Sequence, residues 1–436
     1  MESVEVVEFL WVAIALFMGL MFTRIVIALK IDCPDVTVFL IAGIIIGPYF
    51  LGHLGIEGLG FTSYESVEKL KIISDAALGF IAFAIGSEFR MSELKKIGKQ
   101  AGVIGVFQSV LTTIVVDIVL IALHFVLGEE VFPLPAAIIM GAIASATAPA
   151  ATLMVVRQYK ADGPLTKLLL PIVALDDAVG LILFSISLGV AQAIIGGNIS
   201  VIGVIINPII EIICSIILGG VFGWILSIVE KLFNSNTNRI TISVSVLLFA
   251  IALSSLKINI GEIVISFSSL LVCMMLGTVF CNLGERTEDI MLKIQKWAGP
   301  LTACFFVLSG AELQLEVFKN FYYVLIGVIY IASRSFGKYF GARVSSIATH
   351  CDSNVVKYLG LTLLPQAGVA LGMCRESVVL GDVNGVIIRN ITLFGVLIYE
   401  LVGPSITHRA LLAAGEINEV PKHKQTKERF EKTKEA

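Results

Sequence analysis

The chain has 436 residues, is 57% hydrophobic and only 15% charged, and carries a net charge of −3. A soluble domain holds about 25% charged residues, so this composition excludes an ordinary soluble fold and points to a polytopic membrane protein. The seven cysteines are scattered, without CxxC or a Cys/His cluster, so neither a disulfide framework nor a zinc site is expected.

A membrane span needs about 20 mostly apolar residues, or roughly 17–25 with tilt. Thirteen segments qualify: 6–29, 35–51, 72–90, 101–127, 133–156, 166–195, 200–229, 240–256, 262–282, 297–314, 321–346, 355–374 and 385–411. The opening MESVEVVEFLWV is acidic where a secretory leader would be basic, and reads as the start of the first span. Spans eight and nine are separated only by residues 257–261. With the N-terminus outside, alternation puts 25 of the 31 Lys and Arg on the cytoplasmic side. Such a split fits an odd number of spans and a cytoplasmic C-terminus. Residues 415–436 are polar and charged and read as a short cytosolic tail. No Gly-rich nucleotide fingerprint follows the last span, so no nucleotide-gating domain is expected.

Span six, LLLPIVALDDAVGLILFSI, holds Asp176 and Asp177 side by side. An Asp at the centre of a membrane helix costs roughly 2.5 kcal/mol or more. Two together read as a proton or cation site. Spans five and twelve each carry a mid-span proline, Pro149 and Pro365, followed by Ala150, Ala151 and Thr152 in one and Gln366, Ala367 and Gly368 in the other. Proline removes a backbone hydrogen bond and frees a carbonyl. In lipid such a break survives only where protein or a wet cavity satisfies the backbone. The two spans are seven apart, so spans 1–6 and 8–13 read as inverted repeats joined by span seven. Paired interrupted helices of this kind mark the midplane site of a secondary transporter.

A hard monovalent cation wants oxygen ligands. A buried carboxylate, a hydroxyl from Thr147 or Ser145 and freed carbonyls around residues 146–149 would supply them. A carboxylate that binds either a proton or a cation, in a core that moves only when it is occupied, couples the two. Asp117 in span four is deep enough to pair within the protein or to act in transport. Glu211 and Glu262 read as interfacial or paired groups, and Glu312 and Glu316 as external ones. His124 and His350 lie near span ends and read as pH sensors or as ordinary interfacial groups.

The run GAIASATAPAATLMVVRQYKADGPLTKLLLPIVALDDAVGLI resembles the heart of the cation/proton antiporter superfamily, in the bacterial second branch that contains NapA-type Na+/H+ and Kef-type K+/H+ antiporters. VTVFLIAGIIIGP, LGFIAFAIGSEFRMSELKK, FFVLSGAEL, SRSFGKYFGAR and LPQAGVALGM resemble further spans of that family, and together the pieces cover residues 6–411 in order. The resemblance implies an all-α membrane fold of thirteen helices with inverted repeats and two crossing broken helices. Spans 1–3 and 8–10 would form a dimer panel, and spans 4–6 and 11–13 a mobile core. It implies a homodimer in a prokaryotic inner membrane that exchanges Na+ (or Li+) for H+, with K+ as the rival cation. No cofactor, enzymatic activity or nucleic-acid partner is implied.

Carried over, Asp177 matches the family's ion-binding, proton-carrying aspartate, and Asp176 the first of the pair. Thr147, Ala148 and Pro149, with Pro365 and Gln366, match the broken-helix crossing. In the electrogenic subset Asp176 pairs with a lysine on span eleven. Alignment on residues 341–343 puts Arg334 in that lysine's place, while Lys338, one turn along the same face, is the alternative partner. Arginine effectively never gives up its proton, so the choice bears on stoichiometry.

Other membrane chemistries fit less well. Intramembrane aspartyl proteolysis needs aspartates on two helices and a GxGD signature, serine chemistry a GxSxG, and a potassium channel a TVGYG-type filter. None is present.

Overall fold

The computed structural model describes residues 2–417 except 30, 32–33, 57–58, 88, 90, 196–205, 257, 261–262, 285–286 and 314–318. The chain runs through α1 (Glu2–Ala28), α2 (Asp35–Ile46), the short α3 (Tyr64–Glu68), α4 (Lys71–Gly86), α5 (Met91–Leu127), α6 (Leu134–Ile143), α7 (Pro149–Gln158), α8 (Pro164–Ile194) and α9 (Asn207–Val229). It continues through α10 (Asn236–Ser254), β1 (Ile258–Ile260), β2 (Ile263–Ile265), α11 (Ser269–Leu283), α12 (Thr287–Glu312), α13 (Phe321–Ala348), α14 (Ser353–Thr362), α15 (Gly368–Glu376) and α16 (Asp382–Ala413).

The described residues are helical apart from one short antiparallel pair, β1 and β2, with Ile258 opposite Ile265. That pair replaces the expected start of span nine. Its alternating β-branched residues suit a strand as well as a helix, and the helix itself starts only at Ser269, where Ser268 accepts a bond from the Leu271 amide. Seven helices among the described residues are long and apolar enough to cross a bilayer. The remaining expected spans fall on α4, α11, α12 and α13 and on the half-helix pairs α6/α7 and α14/α15.

The packing repeats itself with inverted order. α2 lies on α12 as α11 lies on α4, and α5 lies on α13 at the centre of the exchange. Glycines set these close approaches. A side chain at Gly43 would overlap the Val307 carbonyl, and one at Gly310 the Leu40 carbonyl. In the other repeat, Gly86 meets the Met274 carbonyl and Gly277 the Phe83 carbonyl. On α13, Gly337 and Gly341 let the helix sit against Thr112 and Gln108 of α5. Helices α5, α6 and α8 pack on one another, as do α13, α14 and α16.

Glu262 and Glu316 lie outside the described residues, as do residues 418–436 of the expected tail. Residues 415–417 do not behave as free tail. Glu416 is buried and accepts hydrogen bonds from the Leu165 and Thr166 amides at 2.6 and 2.8 Å and from the Thr166 hydroxyl at 2.6 Å. It thereby caps the N-terminus of α8, where unpaired amides and the helix dipole favour a carboxylate.

Candidate ion-binding site

Helix α8 carries both aspartates, and Pro171 stands one turn and a half before them. Successive helical residues point about 100° apart, so the two acids face different surroundings. Asp176 is fully buried and saturated. Its Oδ1 accepts from Gln108 Nε2 and, at 2.9 Å, from Ser109 Oγ, both on α5. Its Oδ2 accepts from Thr147 Oγ1 at 2.7 Å and from Lys338 Nζ at 2.9 Å. Asp177 is 1% exposed, and neither carboxylate oxygen has a hydrogen-bond partner among the described residues.

The ion pair to Asp176 is therefore made by Lys338, not by Arg334. Arg334 is also fully buried but serves the helix breaks. Its Nε donates to the Ala144 carbonyl at 2.9 Å, its Nη2 to Ala146 at 2.6 Å and its Nη1 to Leu364 at 2.7 Å. These are orphan carbonyls just past the C-termini of half-helices α6 and α14, where the helix dipole is negative. The guanidinium also stands 4.4 Å from the centre of the Tyr399 ring, a cation–π distance.

The breaks hold each other as well. The Ala148 amide donates to the Pro365 carbonyl at 2.8 Å, and Gln366 Nε2 donates to the Ile143 carbonyl at 2.9 Å. The Tyr330 hydroxyl bonds the Gln366 amide. Pro149 begins α7, where its missing N–H costs nothing.

This wiring already engages several of the groups expected as cation ligands. Thr147 Oγ1 already donates to Asp176 and accepts from Lys338. Lys338 Nζ also donates to the Ser145 carbonyl, and Arg334 holds the Ala144 and Ala146 carbonyls. Within residues 146–149, the Ala146 carbonyl thus serves Arg334, and the Ala148 carbonyl accepts from the Thr152 hydroxyl at 3.1 Å. Ser145 Oγ donates to the Ala142 carbonyl at 2.7 Å and keeps its lone pairs. A Cβ at Gly180, three residues beyond Asp177, would come within 3.0 Å of it. Ser145 Oγ therefore faces a position on α8, three residues beyond Asp177, that carries no side chain.

A cavity of about 620 Å³ opens between α1, α2, α4, α7 and α12, lined by Phe39, Phe80, Leu153 and Met154, with Arg157 and Lys296 among its charged residues. Beside it, Gln158 Oε1 accepts from the Asp35 amide at 2.8 Å, and Arg157 donates to the Ala84 carbonyl at 3.3 Å. These contacts tie α7 to α2 and to α4.

A family model described as "Sodium/hydrogen exchanger, transmembrane" matches residues 12–399. The chain belongs to the sodium/hydrogen exchanger family. Its membership makes it an integral membrane cation/proton antiporter. Two solved structures of the sodium proton antiporter MjNhaP1 from Methanocaldococcus jannaschii share the fold. One has 19% identity and a TM-score of 0.68, covering 94% of this chain and 99% of that one. The other has 18% identity and a TM-score of 0.73, covering 94% and 98%. A comparison with curated protein sequences finds no match.

Sequence reasoning about this exchanger missed Gln108, Ser109 and Tyr399. Gln108 and Ser109 lie in an apolar span with ordinary spacing, and only the crossing of α5 and α8 brings them to Asp176. Glu211, by contrast, sits as expected in a polar contact, accepting from Ser266 Oγ at 2.9 Å. His124 bonds the Phe132 carbonyl through Nδ1 at 2.7 Å, with Nε2 3.6 Å from Glu129.

Proposed function

We propose that this exchanger swaps Na+ (or Li+) for H+ by alternating access, with Asp177 as the shared cation and proton site. The observation that carries the reading is the bare, buried Asp177 carboxylate beside an Asp176 already neutralised by Lys338. An isolated buried carboxylate is untenable in apolar surroundings unless something compensates its charge. A proton or a monovalent cation does so, and one excludes the other. The Ser145 hydroxyl and water supply the remaining oxygens for the cation.

Lys338 beside Asp176 supports the electrogenic arrangement, because a buried lysine can release its proton where an arginine cannot. The aspartate pair and the lysine, all within the hydrocarbon region, also fit the second-branch resemblance better than a generic exchanger. The thirteen expected segments would all cross the membrane, with the N-terminus outside and the C-terminus in the cytoplasm of a prokaryotic cell. Helices α5–α8 and α13–α16 would move as the core against α1–α4 and α10–α12, and the latter would carry the homodimer contact. The α7 contacts to Asp35 and Ala84 would then break and reform in each cycle, with the adjoining cavity as the cytoplasmic approach.

The test is reconstituted flux with an internal pH dye, titrating Na+, Li+ and K+ with and without a membrane-potential clamp. Cation-driven proton movement that depends on Asp177 is expected. Its absence with every cation would overturn the reading, and a preference for K+ would move the substrate to the Kef-type alternative.

A further inference from the structure

Asp117 takes no part in the site just described. It sits on α5, in the part of the chain that reads as a membrane span, where an ionisable side chain is costly. Ser109, Thr113 and Asp117 are spaced four residues apart, so they share one face of the helix. The lower end of this stripe is connected, since Ser109 Oγ donates to Asp176 Oδ1 at 2.9 Å. The upper end is not. Among the described residues, Thr113, only 6% exposed, has no partner for its Oγ1, and Asp117 Oδ1 is buried without one as well.

The environment is built for the carboxyl. Asp117 Oδ1 occupies the space that a side chain at Gly141 of α6 would fill, and the Thr113 carbonyl lies 3.1 Å from that same point. The carboxyl is therefore turned into the α5–α6 interface. Two neighbouring buried polar atoms without partners call for water or for a functional role. No titratable side chain faces it from α6 or from α8 beyond Asp177. Helix α13 contributes Tyr330, Arg334 and Lys338 on its buried face, and α5 itself contributes His124, which is bonded to the Phe132 carbonyl.

We propose that Asp117 is a second proton-accepting site of the exchanger, linked to the Asp176–Lys338 pair by the hydroxyls of Ser109 and Thr113 with water between them. The inference rests on the antiport reading. A proton released by the pair is taken up by the first hydroxyl while that hydroxyl passes its own proton onward, until the Asp117 carboxylate gains one. Only O–H and N–H bonds form and break, and the reverse sequence resets the stripe. Asp117 then buffers the proton that the pair gives up, about 12 Å along α5 from Ser109 at 1.5 Å per residue.

The test uses the full-length protein in lipid vesicles. In pH-difference infrared spectra, Asp117→Asn should remove a carboxylic-acid C=O band that Asp177→Asn retains, and Thr113→Val should shift that band. In flux assays Asp117→Asn should lower turnover several-fold and displace the pH optimum while leaving the apparent Na+ constant unchanged. An infrared spectrum identical to wild type, or a changed Na+ constant with an unmoved pH optimum, would overturn the proposal. If the wild-type protein moves no cation, the antiport reading fails, and the infrared band alone still decides whether Asp117 takes up a proton.

Discussion

Lys338 donates to Asp176 across 2.9 Å, and both side chains are wholly enclosed by protein. Arg334, one turn earlier on α13, makes no ion pair with Asp176 and spends its donors on backbone carbonyls of both helix breaks. The two cations of α13 thus have separate duties: Lys338 balances the aspartate, and Arg334 balances the ends of the half-helices.

Separating these duties is a matter for mutant cycles. Lys338→Ala leaves Asp176 buried without its partner, a change that typically costs roughly 3–5 kcal/mol. Thermal stability of the detergent-purified variant should fall steeply and recover in part when Asp176→Asn is added. Arg334→Ala should also destabilise, through the unpaired carbonyls, but its effect should add to that of Asp176→Asn without strong coupling. A coupling of Asp176 to Arg334 as large as that to Lys338 would contradict the observed wiring.

Asp177→Asn keeps the shape of the side chain and removes its charge. Because Asp177 makes no hydrogen bond that holds the fold, the variant should stay folded and bring proton-coupled cation flux to background in proteoliposomes. Normal flux would reject Asp177 as the carrier.

The pH dependence has a definite sign. In the proposed mechanism proton and cation compete for the Asp177 carboxylate, so lowering the pH should fill the site with protons and raise the cation concentration needed for half-maximal exchange. Raising the pH lowers that concentration until proton supply limits turnover. Initial rates over a grid of Na+ concentration and pH should show competitive behaviour, with the apparent constant rising as pH falls. A pH-independent constant would separate the two ligands.

Ser145 and Gly180 should set cation preference. Ser145→Ala removes the proposed hydroxyl ligand and should raise the apparent Na+ constant about tenfold, the equivalent of roughly 1.4 kcal/mol. Gly180→Ala brings a methyl to 3.0 Å from Ser145 Oγ and 3.2 Å from Met373 Cε. The narrowed space should favour Li+ over K+, read as the ratio of apparent constants.

Glu416 caps the helix that bears the aspartates. Glu416→Ala exposes the amides of Leu165 and Thr166 and should cost about 0.5–2 kcal/mol, seen as a lower melting temperature. Glu416→Gln, which still accepts a bond, should cost less.

Much of this architecture is written along the chain. Apolar runs of membrane length mark the helices, and Pro149 and Pro365 mark the breaks, because a missing amide is visible in any sequence. The expense of Asp176 and Asp177 is equally plain, since depth in an apolar run measures it directly. The short paired strands at residues 258–260 and 263–265 were hidden because β-branched residues serve a strand and a membrane helix alike.

What the sequence determined by itself was therefore one-dimensional: which segments are apolar, where the backbone is interrupted, and which acids sit at costly depth. The tertiary structure decided the partners. Arg334 and Lys338 lie on the same helical face, and which of them meets Asp176 depends on the axial offset and crossing of α13 against α8. The same crossings bring Gln108 and Ser109 to Asp176 and leave Asp177 bare. Hydrogen bonds reach only about 3 Å, while one helical turn shifts a side chain by 5.4 Å. A register one turn off exchanges every partner while leaving the sequence pattern unchanged.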